Sequence, residues 1–541
     1  MLLWSCLGRT LQFSRDMRPI HPALALFAFC PFLLSASGSW SQWRGDGRDG
    51  KGMPGIEFSG SWDQQEPELL WESDLIPSQD DGGFGSLVSD GERAYLSLVW
   101  HRDEPTESRT ISSLFLRKFG ARKVNLPPEL VAKAEKARLN LSPRLRGSSL
   151  DEWIENWIEE NLDQKQKMTQ GSLLTSRFKK GKLAFNLSDV DLLFSVKDKV
   201  FPNQDALDRW LEEQPFSPGM REKISQAVPP TKRVADDVVV ALDLKNGTTL
   251  WKASLPGTPS GRSSSSTPCI KDGKLYTVGS NRIFSVDLAK GKVDWETPLE
   301  LEGIAGSVLV HGDLVIALVG NLRAYHRNSG KLVWTNKQVS GKSASPTLWK
   351  TPGQDLIACN GGKEIFLVNP KDGTTFWQGP GGGSSTPVCR DEWMLVHGKD
   401  EKVGLIAYRW KDSSVVEAWR FPKLTRRSDS SPLIHDGHAY LIGAGMRACL
   451  VLESGKLIKK EMAKHDISSP VLVGGKILAY EINGSFLQLI ETNPGKFGQI
   501  TKSKIGALRC TSPSPVGSKL LIRKSDRIAC YELGVDQPAK P

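Results

Sequence analysis

From about residue 88 onward the chain is dominated by short apolar runs with polar breaks. AYLSLVW (94–100), LYTVG (275–279), LVIALV (314–319) and LIACN (356–360) are followed by MLVHG (394–398), AYLIG (439–443), ILAYE (477–481) and LLIRK (520–524). They are rich in β-branched and aromatic residues and bounded by Gly, Asp or Pro, which predicts strands.

A phrase repeats in step with these runs. ALDLKNGTTLW (241–251) returns as SVDLAKGKVDW (285–295), AYHRNSGKLVW (324–334) and LVNPKDGTTFW (367–377), each glycine four residues before its tryptophan. An Asp or Asn side chain bonds the backbone ahead of it and the glycine supplies positive φ, so the loop is a β-hairpin turn. Tryptophan recurs at 251, 295, 334, 377 and 419, a period of about 42 residues. A second phrase opens a short apolar strand once per period: STP (266–268), ASP (344–346), STP (385–387), SSP (430–432), SSP (468–470) and TSP (511–513). Proline at the first residue of a strand costs no important ladder bond.

One period holds about four strands, the content of a propeller blade. Counting second strands, the expected fold is all-β, an eight-bladed β-propeller of four-stranded antiparallel blades over 67–100 and 238–534. The last blade ends at IACYELG (528–534) one strand short, and PELLWESDL (67–75) supplies it from the other end of the chain, with Trp71 in the repeated place. Such closure removes two sheet edges. Blades 6 and 7 carry degenerate copies: LESGKLIKK lacks the tryptophan and ETNPGKFG places Phe497 early.

Residues 101–237 break this pattern and predict a mainly α-helical insertion in blade 1. PPELVAKAEKARLNL reads as a helix opened by proline. DEWIENWIEENL puts Trp153, Ile154, Trp157, Ile158 and Leu162 on one helical face, and ALDRWLEE is a shorter helix. KLAFNLSDVDLLFSV (182–196) is expected as strand or buried coil.

Composition adds the compartment. ALALFAFCPFLL (23–34) follows Met17-Arg18 and precedes the small residues SASGS (35–39), so 1–38 reads as a signal peptide with an upstream extension. Its twelve apolar residues fall short of the ~20 that span a bilayer. Residues 39–66 are a lead-in and 535–541 a C-terminal tail, and after signal removal no transmembrane segment is expected. The location is periplasmic or secreted. Cys269, Cys359, Cys389, Cys449, Cys510 and Cys530 stand singly inside strand patterns, as buried free thiols rather than metal ligands. The formal charge of +10 on 541 residues is a mild basic bias, and no basic helix or aromatic motif accompanies it, which argues against nucleic acid.

The D-x-x-x-G-x-x-x-W phrase with its S/T-P strand openings resembles the pyrroloquinoline quinone (PQQ) repeat. That family includes quinoprotein alcohol dehydrogenases and BamB-type outer-membrane assembly lipoproteins. WSQWRGDGRDG (40–50) looks like the opening of secreted bacterial PQQ-repeat propellers. The resemblance implies that Trp71, Trp251, Trp295, Trp334, Trp377 and Trp419 dock between neighbouring blades, and burying such a ring is worth about 2–3 kcal/mol. It implies PQQ with calcium as cofactor only for a dehydrogenase. The adjacent cysteine pair those enzymes carry over the quinone is missing, as is CxxCH. No catalytic residue and no metal ligand is assigned, and P-loop, HExxH and GxSxG signatures are likewise missing.

Cations on the segments leading into the innermost strands form one further constellation: Arg262, Lys342, Arg426, Arg427, His465 and Arg509. Convergent at a channel mouth, they would suit a small anionic ligand. Asp429 and Asp466 share two of those inlets and offset part of the field. The expected function is a non-catalytic protein-binding or scaffold propeller that meets other envelope proteins. A PQQ-dependent oxidoreductase and an anion-binding propeller are the alternatives.

Overall fold

The computed structural model describes residues 38–536 other than 53–55, 59–66, 77–81, 261–263, 302, 401, 423–428, 444 and 466. The expected signal segment lies outside the described residues except for Gly38, and the tail does so entirely from 537 on. Eight antiparallel sheets follow one another along the chain as the blades of a β-propeller. Blade 1 pairs Val88–Ser89, Arg93–Pro105, Thr231–Asp243 and Thr249–Gly257. Blade 2 runs from Cys269–Lys271 to Lys292–Pro298, and blade 3 from Leu309–His311 to Leu332–Gly341. Blade 4 spans Thr347–Thr351 to Thr375–Pro380, and blade 5 spans Val388–Arg390 to Ser414–Phe421. Blade 6 spans Leu433–His435 to Leu457–Met462, and blade 7 spans Val471–Val473 to Gly498–Lys504. Blade 8 joins Ser514–Val516, Lys519–Arg523 and Ile528–Glu532 to Leu69–Glu72, so one sheet is built from both ends of the described chain.

Blade 3 departs from the four-strand expectation. Its middle strand, Leu314–His326, is a continuous extended run through Gly320 (φ 81°). The run pairs with Leu309–His311 through 314–316 and with the outer strand through 320–325. LVGNL holds no Asp-Gly or Pro that would break the run into two strands, and glycine alone accommodates the positive φ.

The hairpin turns follow from the repeated phrase. Gly247 N–H donates to Asp243 O at 2.8 Å and Lys245 N–H to Asp243 Oδ1 at 2.7 Å, with Gly247 at φ 77°. Strand interiors bury both faces, as in Leu356–Cys359, so each sheet packs a neighbour on either side. Among the described residues Cys269, Cys359, Cys389, Cys449 and Cys530 are free thiols; Cys389 and Cys510 are only partly buried, which corrects the expectation of full burial there.

Two strands of blade 1 pair over 13 residues, Arg93–Pro105 with Thr231–Asp243, and the ribbon carries the inserted helices. Among the described residues these are Ser113–Phe119, Pro128–Leu139, Ser148–Asn161, Gln164–Lys180, Leu187–Ser195, Gln204–Glu213 and Pro218–Ala227. Leu187–Ser195 corrects the strand-or-coil expectation for that stretch: Val190 and Leu193, three residues apart, are the buried pair, which is helical spacing. The helices bury two separate cores. One is built on Phe115, Leu193, Leu207 and Leu211, the other on Ile154, Trp157, Leu174 and Phe178. Beside the second, Arg138 and Arg177 share Glu135 at 2.6 and 2.9 Å.

Candidate functional site

The innermost strands open on the S/T-P phrase, and its hydroxyls are consumed between blades. Ser512 N–H donates to Ser86 Oγ, Ser86 N–H to Thr267 Oγ1, Thr267 N–H to Ser307 Oγ and Ser307 N–H to Ser345 Oγ, at 2.8–3.1 Å. Ser345, Thr386 and Ser431 continue through the hydroxyls of Thr386, Ser431 and Ser469 at 2.9–3.0 Å. Seven links therefore run from blade 8 through blades 1–7. The proline after most of these residues needs no partner for a missing N–H, so the hydroxyl is free to serve the previous blade.

A second set of inter-blade links starts at the far end of the second strands. Asn360 Nδ2 donates to Ser385 O at 2.8 Å, His397 Nδ1 meets Ser430 O at 3.2 Å, and Arg523 Nη1 donates to Gly85 O at 2.5 Å. Each acceptor immediately precedes the hydroxyl residue of the next blade. The sequence reading missed all three; its available signal was a polar residue closing an apolar run, as in LIACN, MLVH and LLIR.

The lead-in crosses the converging strands. Trp40 exchanges both backbone bonds with Ser89 of blade 1 at 3.0 Å, and Ser41 O accepts from Ile270 N–H of blade 2 at 2.6 Å. Arg48 donates to Ser307 O and Val308 O of blade 3 and Pro346 O of blade 4, and Arg44 to Pro432 O of blade 6. Gly52 N–H reaches Leu472 O of blade 7 at 2.8 Å, and Leu472 N–H returns to Gly50 O at 2.7 Å. A single segment bonded to the first strands of six blades must lie across the axis on which they converge, so residues 40–52 plug the channel. Burial pushes both guanidinium groups down to about 10, with Asp49 opposing the shift at Arg44, and both stay charged at neutral pH.

Farther out, the tryptophans sit on glycines of the following blade. A Cβ on Gly247, Gly291, Gly330, Gly373 or Gly455 would lie 2.3–2.7 Å from the ring of Trp71, Trp251, Trp295, Trp334 or Trp419 respectively. Trp71, Trp295, Trp334 and Trp419 also donate Nε1–H to a carbonyl of that blade, at 3.1, 2.8, 3.0 and 2.5 Å. Trp251 Nε1 has no acceptor among the described residues, and Trp377 meets Tyr408 edge-on at 5.0 Å.

Of the six inlet cations, Arg262, Arg426 and Arg427 lie outside the described residues, as does Asp466. Lys342 is exposed, its stem beside Gly303, and Arg509 lies over the Phe84 ring at 5.8 Å. His465 is buried, and desolvation, then the nearby Arg447, push it down to about 4, so at pH 7 it is neutral. Asp237, on the same face, is pushed up to about 6 by burial although it accepts from Ser280 N–H at 2.5 Å.

A quinone–calcium pair fits this donor set poorly. Among the described residues no three His, Cys, Asp or Glu side chains gather to hold a metal ion, and Asn360 spends both amide ends on Ser385 O and Gly382 N–H. Two open clefts among the described residues, of about 670 and 570 Å³, lie between blades 3 and 4 on outer strands and hairpins such as 372–378 and 369–371, apart from the converging polar groups.

Comparison with known proteins follows the architecture. A curated relative, the quinoprotein alcohol dehydrogenase PedH of Pseudomonas putida, is 29% identical over 165 residues, 27% of each chain, so the chain spans about a quarter of that relative. The crystal structure of BamB from Moraxella catarrhalis is similar with a TM-score of 0.43 and 14% identity, over 55% of this chain and 88% of that one. A europium-containing methanol dehydrogenase gives 0.42 and 12% identity over 55% and 81%. The family model described as outer membrane protein assembly factor BamB matches residues 235–381 and 319–533, more than half of the sequence, and the chain belongs to that family of PQQ-repeat propellers.

Proposed function

We propose that the chain is a non-catalytic protein-binding or scaffold module of the cell envelope, periplasmic or secreted, which meets partner proteins through its helical insertion. The observation that carries this reading is the commitment of polar groups around the channel. The hydroxyls, Asn360 and His397 serve neighbouring blades, and residues 40–52 fill the convergence of the first strands. The insertion contrasts with this: it brings two cores of its own on a 13-pair ribbon. The apolar segment 23–34 and the outer-membrane description of the family support the compartment. Among the described residues no helix is long and apolar enough to cross a membrane.

The likeness to a quinoprotein alcohol dehydrogenase favours a second reading, a PQQ-dependent oxidoreductase. Calorimetric titration with PQQ, with and without calcium, separates the two. The scaffold reading expects no saturable heat at high micromolar quinone. Calcium-dependent binding, followed by dye-linked alcohol oxidation, would replace it. Photo-crosslinkers on Trp153 and Leu183 should capture envelope proteins that crosslinkers on the outer strands do not.

A further inference from the structure

Among the described residues four arginines are fully buried, Arg44, Arg48, Arg138 and Arg523, and they differ in what faces them; Arg138 has the Glu135 carboxylate at 2.6 Å. Arg48 spends Nε on Gln42 and both Nη atoms on carbonyls. Arg44 gives Nη2 to Pro432 O and has the charge of Asp49 beside it. Arg523, 1% exposed, gives only Nη1 to Gly85 O. Its Nε and Nη2 have no acceptor among the described residues, and burial acts on its charge with no opposing carboxylate. A buried cation left this way is among the costliest arrangements in a protein interior.

Charge is not what the inter-blade link requires. Arg523 stands two residues beyond Leu521, which pairs with Ser514; His397 and Asn360 stand two beyond Leu395 and Ala358, paired with Val388 and Thr347. These are equivalent places, and a neutral imidazole or amide makes the same carbonyl contact there. What the guanidinium adds is a second edge. Nε–H and Nη2–H lie side by side in its plane, the fork that grips one anion through two charge-assisted bonds.

The surroundings set the size and sign of a ligand. Arg523 reaches the Gly83-Phe84-Gly85 inlet of blade 1, where a Cβ on Gly83 or Gly85 would come 2.0 Å from Ser264 O or 2.8 Å from Ser266 O. There is no room for a large group. Arg509 borders the same inlet over Phe84, and Leu508 N–H donates to Arg523 O at 2.7 Å, so two guanidinium groups face one short glycine-rich segment.

We propose that a small inorganic anion of halide size binds the Nε–Nη2 edge of Arg523, sealed between blades 8 and 1. The site lies at the seam that joins residues near 85 to residues near 523, where the two ends of the propeller meet. Its role is to neutralise the only one of the four fully buried arginines with neither a full set of acceptors nor an acid beside it among the described residues.

Crystals of the full chain grown with bromide in place of chloride should give an anomalous peak about 3.3 Å from Nε and Nη2. Melts at fixed ionic strength should be about 2–4 °C higher in chloride than in gluconate, an anion too large for the inlet. Arg523→Gln, which keeps an amide for Gly85 O, should lose that difference. No bromide peak beside Arg523, or a chloride effect that persists in Arg523→Gln, overturns the proposal. Should the variant fail to fold, the bromide map of the unaltered chain decides alone.

Discussion

The inner ring of hydroxyls and the outer belt of tryptophans join the same blades by different means. Ring links keep one geometry across seven seams, including those of the degenerate blades 6 and 7 through Ser431 and Ser469. The belt varies. Five seams set a tryptophan on a glycine, another turns Trp377 against Tyr408, and between blades 6 and 7 Tyr440 packs on Phe497 at 5.6 Å. Blades are closest at the axis, where a buried N–H has only one direction in which to find an acceptor. Toward the rim the gap widens and several side chains fill it equally well. Sequence freedom therefore grows with distance from the axis.

Breaking the belt should have the largest effect. Trp334→Ala removes a buried ring and its bond to Pro370 O, and we expect a loss of about 3–5 kcal/mol in denaturant midpoints followed by circular dichroism. Acid should find the axis side and spare the belt. His465 has its folded pKa below the unfolded value, so its stabilisation is present above about 6.5 and is lost as pH falls toward 4. The loss is on the order of 2–3 kcal/mol, and His465→Gln should flatten that slope in pH-dependent melts. Thr386→Val breaks one ring link and leaves the Ser345 N–H buried without its acceptor, costing about 1–3 kcal/mol. Thr386→Ser should restore most of it; if Val and Ser behave alike, the ring contributes nothing. The finest distinction lies within the belt: Trp334→Phe should cost about 1 kcal/mol more than Trp251→Phe, because only Trp334 donates from Nε1.

Much of the propeller was legible in the chain. Apolar runs near every forty residues, with Asp-x-x-x-Gly turns between them, read directly as strands, because period and turn chemistry are local properties. The partners of those residues were not. Gly373 reads as a turn glycine, yet it also receives Trp334 from the preceding blade, and only the assembled seam places the two together. The S/T-P phrase read as a strand opener for the same reason. Leu187–Ser195 was misread because LLF resembles a strand when its burial pattern is unknown. Around the channel, His465 was taken for a cation although burial keeps it neutral. Arg44 and Arg48 lay within a phrase matched to a family opening, with nothing local to reveal that they cross the axis.

The plug has a consequence for the order in which the chain acquires structure. Residues 40–52 emerge early in synthesis, but the carbonyls and amides they satisfy belong to six blades, the last of them blade 7, and Leu69–Glu72 waits for Ile528–Glu532. Two early segments therefore stay unpaired until almost the last blade has been made. Such long-range closure is slow and leaves an open strand edge exposed meanwhile. A chain cut short within its last blade would keep the Leu69–Glu72 edge in view, so completeness of the polypeptide is registered at its opposite end.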